Sequence, residues 1–164
     1  MSRALSFREQ LLMAKSCAFE AEVTADFGDK TYTFTLACEG KPDGSLTFAV
    51  QKPDAISGIK GALSAEGGKI TFDEDRALAF PMLAEGEATP LSAVWILYST
   101  LRSGYLTSCG TEGEWLRLTL NDTYEDKAMQ VDVWLDDANC PVMAEILWQS
   151  RRILSLRVTN FQIL

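Results

Sequence analysis

From Val131 to Leu164 the chain reads VDVWLDDANCPVMAEILWQSRRILSLRVTNFQIL, three alternating apolar and polar runs separated by turn-forming residues. A period of two is that of strands with one buried face. Met129, Val131, Val133 and Leu135 share a face, and a four-residue loop over 137–140 sets them against Trp148, Ile146, Ala144 and Val142. A three-residue loop over 150–152 then sets Ile146 against Leu156 and Ala144 against Val158. This register predicts Glu145 opposite Arg157 on the other face, with Asp132 beyond Glu145.

The first third of the chain has the same period. Phe19, Ala21, Val23, Ala25 and Phe27 alternate with acids and Thr, and Gly28-Asp29 fits a two-residue hairpin turn with glycine first. That turn sets Ala25 against Tyr32, Val23 against Phe34 and Ala21 against Leu36, so the apolar faces agree. Lys41-Pro42-Asp43-Gly44 reads as the next turn, before a strand with Leu46, Phe48 and Val50 inward. Ile70 with Phe72, and Leu78 with Phe80, predict two short strands around Asp73-Glu74-Asp75, which reads as a solvated turn. Leu116, Leu118 and Leu120 mark another strand, preceded by a strand and turn in YLTSCGTEG.

Two stretches carry helical patterning instead. Ser6 and Glu9 fit a capping box, with a helix running to about Lys15 and Phe7, Leu11 and Leu12 available for an apolar face. In ATPLSAVWILYSTLRSGY, Thr89 fits an N-cap, Pro90 the first helical position and Gly104 the C-terminal cap. Leu91, Val94, Trp95, Ile96, Leu97, Tyr98 and Leu101 surround most of this helix, so it should be largely covered. The fold class expected is α+β: a curled antiparallel sheet, an unclosed β-barrel with helices on its concave side, as one domain over 1–164. The inner face is rich in aromatics: Phe19, Phe27, Tyr32, Phe34, Phe48, Phe72, Phe80 and Trp148.

Composition narrows the function. Hydrophobic residues make up 47% and charged residues 23% of 164, a globular balance. Net charge is −8 and the basic residues are scattered, so no nucleic-acid partner is expected. The sequence has no His, which removes the commonest general base and every Ser-His or Cys-His nucleophile. Asp132 with Glu145 is the best acid pair for catalysis, and an exposed pair countered by Arg157 is the stronger reading; no enzyme activity and no cofactor are expected. Cys17, Cys38, Cys109 and Cys140 lack metal-ligand spacing and are expected as reduced thiols. Asn121-Asp122-Thr123 matches a glycosylation sequon, a frequent chance match.

CAFEAEVTADFGDKTYTFTLACEG, SLTFAVQKP, TPLSAVWILYSTL and the closing MQVDVWLDDANCPVMAEILWQSRRILSLRVTNFQIL resemble, in order and spacing, the LolA-like family of periplasmic and cell-surface lipoprotein-handling proteins. The resemblance implies an unclosed barrel whose hollow holds acyl chains, with no covalent chemistry. The carrier members latch their lid with an early-strand arginine. Here Cys17 to Pro53 contains Lys30, Lys41 and Lys52 but no Arg, so that latch does not carry over. The implied setting is an exported, cell-surface or periplasmic lipoprotein, tethered by a lipid upstream of residue 1. An apolar small molecule, a lipid or a lipoprotein acyl chain would then lie between the Pro90 helix and the sheet, against Trp95, Tyr98, Phe48, Phe72 and Trp148. The alternative is a protein-interaction or regulatory domain with a filled core. Its candidate patch is Trp115, Trp134, Met143 and Leu147, which the register places on the outer face.

Overall fold

The alternating runs form strands of a single antiparallel sheet in a computed structural model. The structure describes residues 2–26, 28, 31–73, 76–80, 83–84, 87–88, 91–123 and 128–164, with side chains left aside over 71–90. In chain order the elements are α1 (Ser2–Met13), β1 (Cys17–Asp26), β2 (Thr31–Gly40), β3 (Leu46–Lys52), β4 (Lys60–Ser64), β5 (Gly67–Asp73), β6 (Arg76–Phe80), β7 (Leu83–Ala84) and β8 (Glu87–Ala88). Then come α2 (Ser92–Ser103), β9 (Tyr105–Glu112), β10 (Trp115–Asn121), β11 (Gln130–Leu135), β12 (Pro141–Trp148) and β13 (Arg151–Ile163). Among the described residues the main sheet has 11 strands in the order β6-β5-β4-β3-β2-β1-β13-β12-β11-β10-β9, and β7 pairs with β8 separately. The first and last strands meet in the middle, where β1 lies beside β13.

The order leaves β6 and β9 as the two edges, so the sheet does not close. It does curl. Helix α2 touches β4, β1 and β10, which lie near one end, in the middle and near the other end of the strand order. One straight helix reaches all three only if the sheet wraps around it. The inward residues follow the period of two: Phe19, Ala21, Val23 and Ala25 on β1, Leu46, Phe48 and Val50 on β3, and Leu154, Leu156 and Val158 on β13 are all buried. The open barrel with a helix on its concave side is the fold expected from the sequence.

Particular elements depart from expectation. Helix α1 starts at Ser2, so Ser6 and Glu9 lie inside it and form no capping box. Packing sets its length: Ala4, Phe7 and Leu11 form one buried stripe, whereas Leu12 is 47% exposed. The Thr89 cap and Pro90 lie outside the described residues. Gly104 does cap α2, but with extended backbone (φ −68°, ψ 163°) and not in the left-handed region. A side chain there would press on Thr100, its carbonyl oxygen 2.6 Å from the added carbon, so closeness selects glycine. Strand β4 falls in a glycine-broken stretch whose pattern predicts no strand. Gly61 faces Phe48, and a Cβ at Gly61 would lie 2.5 Å from that ring. The residue that weakens strand propensity makes room for the aromatic.

The β1–β2 register is as expected, Ala25 facing Tyr32 and Ala21 facing Leu36. The β11–β12 register also agrees from Val131–Ile146 to Val133–Ala144, then slips at a bulge so that Leu135 faces Pro141. The last hairpin is corrected. Trp148 faces Arg151 across a two-residue turn, Ile146 faces Leu154 and Ala144 faces Leu156. Gln149 (φ 49°) and Ser150 (φ 66°) are both left-handed, the geometry of a tight hairpin turn. Glu145 therefore faces Ser155, not Arg157, and Arg157 faces Met143. From Met143 to Ile146 the slip is two residues, so the side chains there keep their faces; a bulge between Ile146 and Leu147 adds one more toward the turn.

Candidate functional site

The inner face of α2 is committed to the core. Ala93, Val94, Ile96, Leu97, Tyr98 and Leu101 are at most 3% exposed. Where α2 meets α1, β9 and β10, the space left between Phe7, Leu101, Leu106, Leu118 and Leu120 is about 10 Å³. That is room for no more than one water.

A larger cleft opens on the other flank of α2, at one end of the curled sheet, with a volume of about 540 Å³. Its helical wall is Trp95, Ser99, Arg102 and Ser103. Their spacing puts them on one face of the helix, away from the core stripe. Leu12 closes the side toward α1. The β2–β3 turn contributes Asp43 and Ser45, and the β4–β5 turn contributes Ser64 and Glu66. The volume lies within the usual range of small-molecule sites. The Trp95 indole Nε1 is buried and has no hydrogen-bond partner among the described residues.

Tyr98 lies beside this cleft but is not free to serve it. Its hydroxyl donates to the Lys41 carbonyl at 2.8 Å, and its ring fills the space that a Cβ on Gly40 would need. Burial raises the Tyr98 phenol above its ordinary pKa. Arg102 sits over the same ring, 5.5 Å from its centroid, and donates to the Pro42 carbonyl at 2.7 Å. These contacts fix α2 to the β2–β3 turn and hold the cleft wall still. Phe48 is buried under Gly61. The Phe72 side chain lies outside the described residues. Trp148 is half-buried at the far end of the sheet, in the hairpin whose Arg151 approaches Gly28. Tyr98 touches Gly40 at the opposite end of the β1–β2 hairpin, roughly 30 Å away at about 3.3 Å per strand residue. The candidate aromatics therefore do not converge; of the four whose side chains are described, Trp95 alone lines the cleft. Ser99 and Arg102 are not singled out by the sequence pattern; their signal is the one polar face of an otherwise apolar helix. Leu12 reads in the sequence only as part of the apolar face of α1.

On the outer face, Trp134 lies opposite both Arg117 and Met143, with Trp115 diagonal to it, while Leu147 lies further along β12 beyond Glu145. Trp134 is only 4% exposed. The Arg117 guanidinium stacks on it at 5.2 Å and donates to Asp132 at 2.7 Å. That bond to Asp132, more than any other factor, raises the pKa of Arg117. Asp132 is buried and also receives the Gln130 amide. Its cross-strand neighbour Glu145 pairs with Arg152 at 3.2 Å. Each acid of the Asp132–Glu145 pair thus has its own arginine, Arg117 and Arg152, in place of the expected Arg157. Among the described residues no group of three or more His, Cys, Asp or Glu could hold a metal ion.

No protein-family model matches the sequence, and no curated protein matches it. Solved structures do match the fold. A domain described as a putative outer membrane lipoprotein-sorting protein domain, from Vibrio parahaemolyticus, aligns with 99% of this chain and 91% of its own at TM-score 0.53 and 9% identity. An uncharacterized conserved protein from Thermus thermophilus aligns with 100% of this chain and 88% of its own at TM-score 0.52 and 11% identity. A chain from the structure of the CwlD amidase in complex with the GerS lipoprotein, from Clostridioides difficile, aligns with 98% of this chain and 93% of its own at TM-score 0.50 and 13% identity. At such identities the likeness is one of fold alone: the open curled sheet with its helices is the architecture that this chain shares with the lipoprotein-sorting domain and the other matched structures.

Proposed function

We propose that this chain is a non-catalytic, extracytoplasmic lipoprotein domain that binds an apolar ligand, the acyl chain of a lipid or of a lipidated protein, at the cleft beside α2. The observation that carries it is the open cleft of about 540 Å³, with Trp95 and Leu12 as its large apolar walls. The hydrophobic gain is about 0.8 kcal/mol per buried CH₂, so a long acyl chain would bind firmly. Helix α1 adds exposed apolar surface at Leu5, Leu12 and Met13. The LolA-like fold supports export and lipid tethering as the setting. Titration of a fluorescent fatty acid tests the reading: saturable micromolar binding is expected, lost when Ser99→Trp fills the cleft without touching the core stripe. Absence of binding to the unmodified chain would refute it.

A second reading has its own observation. Trp134 stacked under Arg117, with Trp115 and Met143 beside it, has the aromatic and arginine make-up of a protein-binding patch. One similar fold comes from a complex of an amidase with a lipoprotein. Under this reading the partner is a protein and the cleft is incidental. Loss of partner binding in Trp115→Ser, with fatty-acid binding unchanged, would favour it.

A further inference from the structure

We infer that the cleft selects an amphiphile with a neutral, hydroxyl-bearing head group, in preference to a charged one; this rests on the acyl-chain reading above. The charges around the cleft decide it. Arg102 stands on one wall, and Asp43 and Glu66 stand on the two turns opposite. Asp43 is held in place by the Ser45 amide at 2.9 Å and the Ser45 hydroxyl at 2.6 Å, which lower its pKa and keep it charged. A free anion would meet two carboxylates as well as the net charge of −8. A simple cation would meet Arg102, which the Pro42 carbonyl and the Tyr98 ring fix in position. A hydroxyl both donates and accepts. A head group with several hydroxyls could therefore donate to Glu66 and Asp43 while accepting from Arg102, with all three side chains lining the cleft. The indole also supplies a flat apolar wall against which a sugar-like ring could lie.

The test uses three probes with the same eight-carbon chain, all below the concentration at which they self-associate: octyl glucoside, octyl sulfate and octyltrimethylammonium. Calorimetric titration of the full chain should show octyl glucoside binding about tenfold tighter than either ionic probe. The Trp95 indole N–H resonance, assigned by Trp95→Phe, should shift with the glucoside. Glu66→Lys, a change on an exposed turn, should move the preference toward octyl sulfate. Equal binding of all three probes, or a preference for an ionic one in the unmodified chain, would overturn the head-group inference and leave the acyl-chain reading standing. Binding of none would overturn both.

Discussion

Asn160 has φ 53°, a left-handed residue inside β13. The register between β1 and β13 shifts there, from Ala18–Gln162 to Glu20–Thr159. The extra residue turns Phe161 toward the core, where it stacks on Phe19 at 5.6 Å and meets Phe7 of α1 at 6.0 Å. Asn tolerates this conformation better than a β-branched residue. Asn160→Val should cost about 1–2 kcal/mol in chemical denaturation, and Asn160→Gly should be nearly neutral. The Val158-Thr159-Asn160-Phe161 ending is visible in the sequence as a resemblance; the bulge that explains it is not, because strict alternation hides a one-residue insertion. The thiols offer a second expectation at this scale. Burial raises Cys17 from 9.0 to about 12 and pushes Cys38 up as well. Between pH 9 and 12 the unfolded chain therefore gives up thiol protons that the folded chain keeps. Stability should fall as pH rises through that window, by about 1.4 kcal/mol per unit for each thiol. Cys17→Ala should flatten the slope, and an equal slope in both proteins would contradict the assignment.

Among elements, α2 depends on α1 for its C-terminal end. Arg8 donates to the carbonyl of Leu101 at 2.8 Å and, beside the Gly104 amide, to that of Thr100 at 3.1 Å, in the last turn, where the helix dipole is negative. Burial lowers the Arg8 pKa, yet an arginine stays charged at neutral pH. Arg8→Met should cost about 1.5–3 kcal/mol, the range for hydrogen bonds to a charged group, read from the denaturation midpoint. In the β12–β13 hairpin, Gln149 and Ser150 occupy positions that Asn-Gly fills best. Gln149→Asn with Ser150→Gly should raise stability by about 1 kcal/mol or more, seen as a higher melting temperature. Gln-Ser carries no such turn signature, so the sequence pattern points to a three-residue loop and sets Glu145 against Arg157. Where the turn chemistry is explicit the sequence is legible: at Gly28 it gives the β1–β2 register, and at Lys41–Gly44 it gives the turn itself. Gly44 is left-handed at φ 90° and its amide donates to the Lys41 carbonyl at 3.0 Å.

For the whole molecule, periodicity is enough to place one face of most long strands and the one apolar helix, and so to give the open curled sheet. It is not enough to separate core from cleft. An aromatic on an inward face reads the same whether it packs against other side chains or lines open space. Tyr98 and Phe48 are packing, with Gly40 and Gly61 leaving room to receive them, while Trp95 faces the cleft. Photo-crosslinking with a diazirine-bearing long-chain fatty acid, followed by peptide mapping, tests the central claim most directly. Labels should fall on Leu12, Trp95 and Ser99, and disappear when unlabelled fatty acid competes. Labels confined to the outer face at Trp115, Trp134 and Met143, or no competed label at all, would contradict the account.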